Sequence, residues 1–308
     1  RILSTPESLH AAHLQDSDRE AVLAGLVRAA LRPGEGGALR AGAVALGAEA
    51  WHPRSNWIWH NYRRIEAVFG GGGRPFRSLA QVYETPDRIG SETGSAARTM
   101  ATARKLAASD PGFAESIDRA VLRRFAWADG ISARLSDHYR GGMVANFMVS
   151  AVSVGAGLAY QPLAVQHGKW AFSLIEFLLL CSILTVTWLG GKWRWHKRWF
   201  ETRRVAEYFR HAPIMLLLGV TRPPGRWPKG TDTSWPEYYA RHALRALGLP
   251  RVAVTKDYLR HAATHLLDAH VTAQRDYHRT KSRRLNTVHH RLDRMSERLF
   301  QLAIISVA

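Results

Sequence analysis

The sequence predicts a mainly α-helical membrane protein: a transmembrane hairpin with cytoplasmic helical regions and a third span truncated at the C-terminus. Three observations carry this expectation. Residues 141–168, GGMVANFMVSAVSVGAGLAYQPLAVQHG, contain no lysine, arginine, aspartate or glutamate. Residues 170–191, WAFSLIEFLLLCSILTVTWLGG, are again apolar and broken by one charge, Glu176. About 20 such residues cross the hydrocarbon core of a bilayer, so each run has spanning length. The third observation is the distribution of basic residues. Arg123, Arg124, Arg134 and Arg140 precede the first run, and Lys192, Arg194, Lys197, Arg198, Arg203 and Arg204 follow the second. The connection between the runs offers only His167 and Lys169. The positive-inside rule therefore places both ends of the hairpin in the cytoplasm.

The first 110 residues read as a cytoplasmic region with glycine-rich linkers. Residues 16–30 suit a short amphipathic helix stopped by Pro33 and the glycines after it. The stretch 51–69, WHPRSNWIWHNYRRIEAVF, is aromatic and basic, which fits an interfacial or docking helix. Gly70 to Gly73 lack the preceding strand and the following GK[ST] of a phosphate-binding loop, so a linker is expected there. A membrane-proximal helix over 111–140 follows, with Phe113, Ile117, Val121, Phe125 and Ala128 at helical steps. It is expected to run on into the first span of a hairpin over 141–190.

After the hairpin, residues 191–253 form a basic aromatic cytoplasmic helix and a loop rich in proline and glycine. Trp193, Trp195 and Trp199 stand where an aromatic belt belongs, with basic neighbours placed to meet anionic lipid headgroups. Trp195, Trp199, Thr202, Ala206 and Phe209 share one helical face. Glu207 lies four residues beyond Arg203 and three before Arg210, where it pairs within the helix. Pro213 restricts that helix, and a short one is expected over 237–247. Thr255 caps a long basic helix over 254–308, whose apolar stripe includes Leu259, Ala262, Leu266, Tyr277, Val288 and Leu299. The chain starts at Arg1 and stops within an apolar run, from which a fragment of something longer is expected. The order of basic helix and then span also occurs around 134–150, a weak hint of an internal repeat.

Within the spans, Asn146, Ser150, Ser153 and Gly157 fall on one small-polar face suited to helix packing. Glu176 is costly in hydrocarbon unless neutralised, paired or wet, and with Ile183 and Thr187 it forms a face toward a pore or another subunit. Its bland alternative is reach to the outer interface or to Lys169.

Composition bounds the chemistry. The 308 residues carry 43 lysines and arginines against 25 acidic residues, a net charge of +18. That excess suits an anionic partner and does not choose between phosphate backbone and lipid. The basic residues border the apolar runs and build no recognisable nucleic-acid module, so lipid accounts for both their position and their sign. Nucleic acid would have to use the helix at 274–294. A single cysteine, Cys181, excludes an intramolecular disulfide framework. His261 and His265 share a helical face with Asp268 and His270 beyond, but without further identifiable ligands they do not define a metal site. No nucleophile elbow places a catalytic triad. No catalytic residue, cofactor or metal is assigned.

Phe125-Ala-Trp-Ala-Asp129 and Asp137-His-Tyr-Arg140 precede the first span. After the second comes His196-Lys-Arg-Trp199-Phe-Glu-Thr-Arg203-Arg-Val-Ala-Glu207-Tyr-Phe-Arg210. Together they resemble bacterial two-transmembrane proteins associated with SLOG and SMODS nucleotide-sensing systems, the SLATT-like effectors. Gln274 to Arg279 and His290 to Leu292 resemble the approach to a further span in such proteins. The resemblance covers roughly 111–308. It implies an oligomeric effector in the bacterial inner membrane that forms a pore or perturbs the bilayer when a nucleotide-derived signal is sensed, the sensor being a separate domain. It places Arg203, Arg204, Glu207 and Arg210 in the family-like motif, with structural roles at the membrane base. The competing expectations are a non-conducting scaffold that tethers a cytoplasmic sensor or enzyme, and a small transporter.

Overall fold

The computed structural model describes residues 42, 44–54, 57–70, 82–158, 168–219 and 235–307. The helix expected at 16–30, the glycines after Gly70, the hairpin turn over 161–167 and residues 221–234 lie outside the described residues. A 3-10 turn (Trp57–His60) leads into α1 (Asn61–Phe69), followed by α2 (Ala97–Leu106). The long helix α3 (Pro111–Leu158) includes a π-helical stretch at Asp118–Leu122. Next come α4 (Lys169–Lys192), α5 (Trp195–Leu217) and α6 (Trp235–Arg245). Finally α7 (Lys256–Ala262) passes through a second π-helical stretch (Ala263–Asp268) into α8 (Ala269–Val307). Among the described residues the β structure is an isolated antiparallel bridge between Arg54 and Val82.

Local chemistry explains the principal boundaries. At the start of α3 the Asp110 carboxylate accepts from the Phe113 N–H at 3.3 Å and Pro111 takes the first helical turn, where its missing N–H costs nothing. Thr255 caps α7 as its position predicts, its hydroxyl accepting from the Tyr258 N–H at 3.1 Å. The joint between α4 and α5 is two residues long, and Arg194 turns it with a left-handed backbone at φ 50. Contrary to expectation, α5 continues through Pro213 to Leu217. Pro213 lies one turn from the helix end and is itself buried, so it forfeits a single hydrogen bond while filling the core.

The helical body outside the two apolar runs has one apolar core. Ile89, Met100, Ile117, Val121, Val205, Phe209 and Leu216 are almost completely buried in it. Each large side chain so buried contributes about 2 kcal/mol of transfer free energy. The principal packing is between α3 and α5, and α1, α2 and α6 close around that pair. No break occurs at Gly130: α3 runs on, with the Trp51 indole packed where a Cβ would project.

Past Gly142, α3 leaves the body and pairs with α4. Phe172, Glu176, Leu179, Ile183, Val186 and Gly190 of α4 are half-buried at alternating steps of four and three, the spacing of a two-helix seam. Leu174, Phe177, Leu178, Leu184 and Trp188 point away and are exposed. Two helices have the length and composition to cross a bilayer, α3 with a mean hydropathy of 1.4 in its apolar window and α4 with 2.0. No residue of the α4 window is buried, whereas the core helix of a water-soluble protein would be mostly covered. The apolar end of α8, with Leu299, Phe300, Leu302 and Ile305, is exposed and falls short of a third span among the described residues.

Candidate functional site

Three polar constellations lie along α3, in order from its apolar end toward the body. The first is the seam of the hairpin. The Asn146 amide donates to the Thr187 hydroxyl at 3.1 Å across α3 and α4. Ser153 is 2% exposed, and the Glu176 carboxylate sits against Gly157, where a Cβ would stand 2.7 Å from Oε2. Glycine at 157 thus makes room for the carboxylate. Four of the five polar residues that the sequence singles out in the apolar runs therefore meet between the two helices. Ser150 is exposed on the outer side, and Val149 takes the inward place beside Ser153.

The second constellation is a knot at the mouth of the hairpin. Asp137, 5% exposed on α3, accepts from Arg63 Nε at 2.7 Å and from the Tyr83 hydroxyl at 2.6 Å. His60 Nε2 stands 3.8 Å away. A buried carboxylate is costly in isolation, and here a guanidinium and a phenol satisfy it. At the next residue, Trp59 stacks on His138 at 5.2 Å and meets Trp195 edge-on at 5.0 Å. Trp195 is 4% exposed, so it turns inward to the body and does not face lipid. Trp193 is 47% exposed at the boundary, and Trp199 is half-buried under the Arg140 guanidinium at 4.8 Å. Burial holds the His138 imidazole below its ordinary pKa, aided by the charges of Arg134 and His60. The Arg134 carbonyl, 2.7 Å from Nδ1, and Asp137 pull in the other direction.

The third constellation is a cleft of about 480 Å³ in the helical body, between α2, α3, α5, the second π-helical stretch and α8. Arg203 reaches Asp129 of α3 at 2.9 Å and Glu207 at 2.5 Å. Arg210 reaches both carboxylates at 3.4 Å and covers the Phe125 ring at 5.2 Å. The pairing of Glu207 with both arginines is as expected. That Asp129 joins them was not foreseen, since 74 residues separate it from Arg203. Arg204, one position from Arg203, does not line the cleft and is half-exposed. On the opposite wall stand His265, His270 and Tyr277, and Arg98 of α2 closes one side.

The histidine spacing points His265 and His270 toward a metal set that lacks further ligands, and nothing in the local sequence marks Arg98. The spacing of seven between Arg203 and Arg210, which puts both on one helical face, is the signal that would have marked this wall. His261 and His265 stack at 5.4 Å. Among the described residues no group of three or more histidine, cysteine, aspartate or glutamate side chains is placed to hold a metal ion. Comparison of the chain with protein-family models, with curated proteins and with solved structures finds no match.

Proposed function

We propose that the chain is an oligomeric helical protein of the bacterial inner membrane that acts as an effector, opening or perturbing the bilayer when its cytoplasmic body receives a signal. The observation that carries this reading is the continuity of α3, which has Ile117 and Val121 fully buried in the body and an apolar, lipid-compatible surface beyond Gly142. At the other side of the hairpin only two residues separate α4 from α5. A rearrangement of the body therefore acts on both membrane helices with little slack between them. Both hairpin ends lie in the cytoplasm in this reading, and the exposed Lys192, Trp193 and Arg194 sit at the anionic headgroups. A nucleotide-derived signal arriving through a separate domain fits the resemblance. Association of copies of the hairpin would let Glu176 and its polar neighbours turn toward a shared water-filled path.

A second reading has its own support. The pairing of Asn146 with Thr187 and the seat of Glu176 against Gly157 hold these groups inside one hairpin, as a non-conducting scaffold would need. Reconstitution into liposomes separates the two. The effector reading expects ion flux from purified protein that Glu176→Gln changes, while a scaffold gives no flux and no response to the substitution. A small transporter would carry a solute with saturation and no open-channel current.

A further inference from the structure

The cytoplasmic cleft has a composition that its structural duties do not explain. Its walls bring three guanidinium groups, Arg98, Arg203 and Arg210, against one lining carboxylate, Asp129. Glu207 behind the wall balances a second charge, and Arg98 retains an exposed guanidinium with no ion-pair partner among the described residues. Across the cleft His270 Nε2 is buried and has no hydrogen-bond partner among the described residues, the kind of orphaned polar atom that calls for an explanation. Both π-helical stretches among the described residues border this one space, through Leu122 and through His265 with Leu266. Such irregular turns are frequent where a helix serves a site.

We propose that this cleft binds a small soluble organic anion carrying a phosphate group. Guanidinium groups come from two walls, α2 and α5. A tetrahedral phosphate offers oxygens in more than one direction to such donors, whereas the two oxygens of a carboxylate lie in one plane. The volume falls in the range of about 300–1,000 Å³ that small-molecule sites occupy. Phe125 and Tyr277 supply apolar surface for the organic body. Position decides between a free anion and a lipid headgroup. Asp129 precedes Gly141, where the span begins, by twelve residues, about 18 Å along a helix, while the headgroup layer is only about 5–8 Å thick. A lipid phosphate at the interface does not reach the cleft.

Binding would set the anion in competition with Asp129 for Arg203 and Arg210, on two helices that run to the hairpin. That regulatory consequence rests on the membrane reading above; the binding itself does not.

The experiment is calorimetric titration of the purified full chain in neutral detergent with inorganic pyrophosphate, beside Arg98→Glu, His270→Gln and Lys256→Glu. Lys256 is exposed and outside the cleft, so its variant makes the same change in net charge as Arg98→Glu. The expected result is binding to the wild type that Arg98→Glu weakens by about tenfold or more, the loss of one charge-assisted contact, and that Lys256→Glu leaves unchanged. His270→Gln, which retains a donor, is expected to weaken it less. Absence of pyrophosphate binding overturns the proposal, as does equal loss in Arg98→Glu and Lys256→Glu, which would reveal a response to net charge. Binding to phosphatidylglycerol vesicles with no response to pyrophosphate overturns it in favour of a lipid surface. Binding that behaves as expected in a protein without liposome flux would leave the cleft standing and remove the effector reading.

Discussion

Gly141 of α3 lies directly beneath the backbone carbonyl of Trp59, so closely that a Cβ at Gly141 would overlap that oxygen. The Asn61 side-chain amide closes the same junction by donating to the Gly141 carbonyl at 3.4 Å. The lack of a side chain is what lets the turn before α1 seat against the helix at the point where it leaves the body.

Gly141→Ala is therefore expected to push the Trp57–His60 turn off α3 and to destabilise the protein by about 2 kcal/mol, in the range of overpacking substitutions. Gly142→Ala is expected to cost less than half as much, because its nearest neighbour is a Val186 methyl at 3.3 Å, a tight contact, rather than backbone in overlap. Thermal melts of both variants in detergent, followed by tryptophan fluorescence, give the comparison; equal losses would contradict it.

Asp137 holds the same junction from one turn earlier. Asp137→Ala leaves the Arg63 charge without its buried partner and is expected to cost about 3 kcal/mol or more. Tyr83→Phe removes one hydrogen bond from the carboxylate and is expected to cost about 1–2 kcal/mol. Limited proteolysis between α1 and α2 reports detachment of this segment, and a protease pattern unchanged in Asp137→Ala would refute its anchoring role.

On the acid side the pH dependence follows from Glu66, His138 and His270, all outside the two apolar runs, with burial lowering both imidazoles. Burial pushes Glu66 upward, but the Lys281 ammonium at 2.6 Å, the Tyr62 hydroxyl and Arg284 outweigh it and hold the carboxyl below its ordinary value. A depressed carboxylate adds stability above its unfolded pKa, and that stability is lost as pH falls through the folded value. His138 also binds its proton less readily when folded, so its contribution is present above the ordinary imidazole value and declines as pH falls below it. Stability is expected to decline in two stages on acidification, near the histidine range and then in the carboxylate range. Glu66→Gln should flatten the second stage and leave the first in place, as followed by circular dichroism across pH.

Thr255→Ala removes the hydroxyl that accepts from the Tyr258 N–H and is expected to cost about 1 kcal/mol, with Thr255→Ser restoring most of it. Hydrogen exchange should show the loss concentrated in the first turn of α7. A uniform loss across α8 instead would show that the cap governs the whole terminal helix.

Much of this architecture is legible in the residues taken singly. Unbroken apolar length marks 141–168 and 170–191 as span candidates, because the cost of a charge in hydrocarbon leaves a gap in composition that any window detects. The Thr255 cap and the internal pairing of Glu207 are equally local, since they depend on offsets of three and four within one helix. Pro213 and Trp195 show where local reasoning stops. A proline one turn from a helix end is tolerated when its ring fills a core, and a tryptophan at the end of an apolar run turns inward when Trp59 from the turn before α1 and His138 from α3 receive it.

By itself the sequence determined the helical class, the two apolar runs and the basic flanks, since all three follow from composition and from spacing along one chain. Only the tertiary structure decided that Asn146 meets Thr187, that Glu176 rests on Gly157, and that Asp129, Arg98 and His270 share a cleft with Arg203 and Arg210. Those groups lie tens to more than a hundred residues apart. Which of them meet is fixed by how α2, α3, α4, α5 and α8 pack, because close packing of apolar faces sets which polar edges are left facing one another.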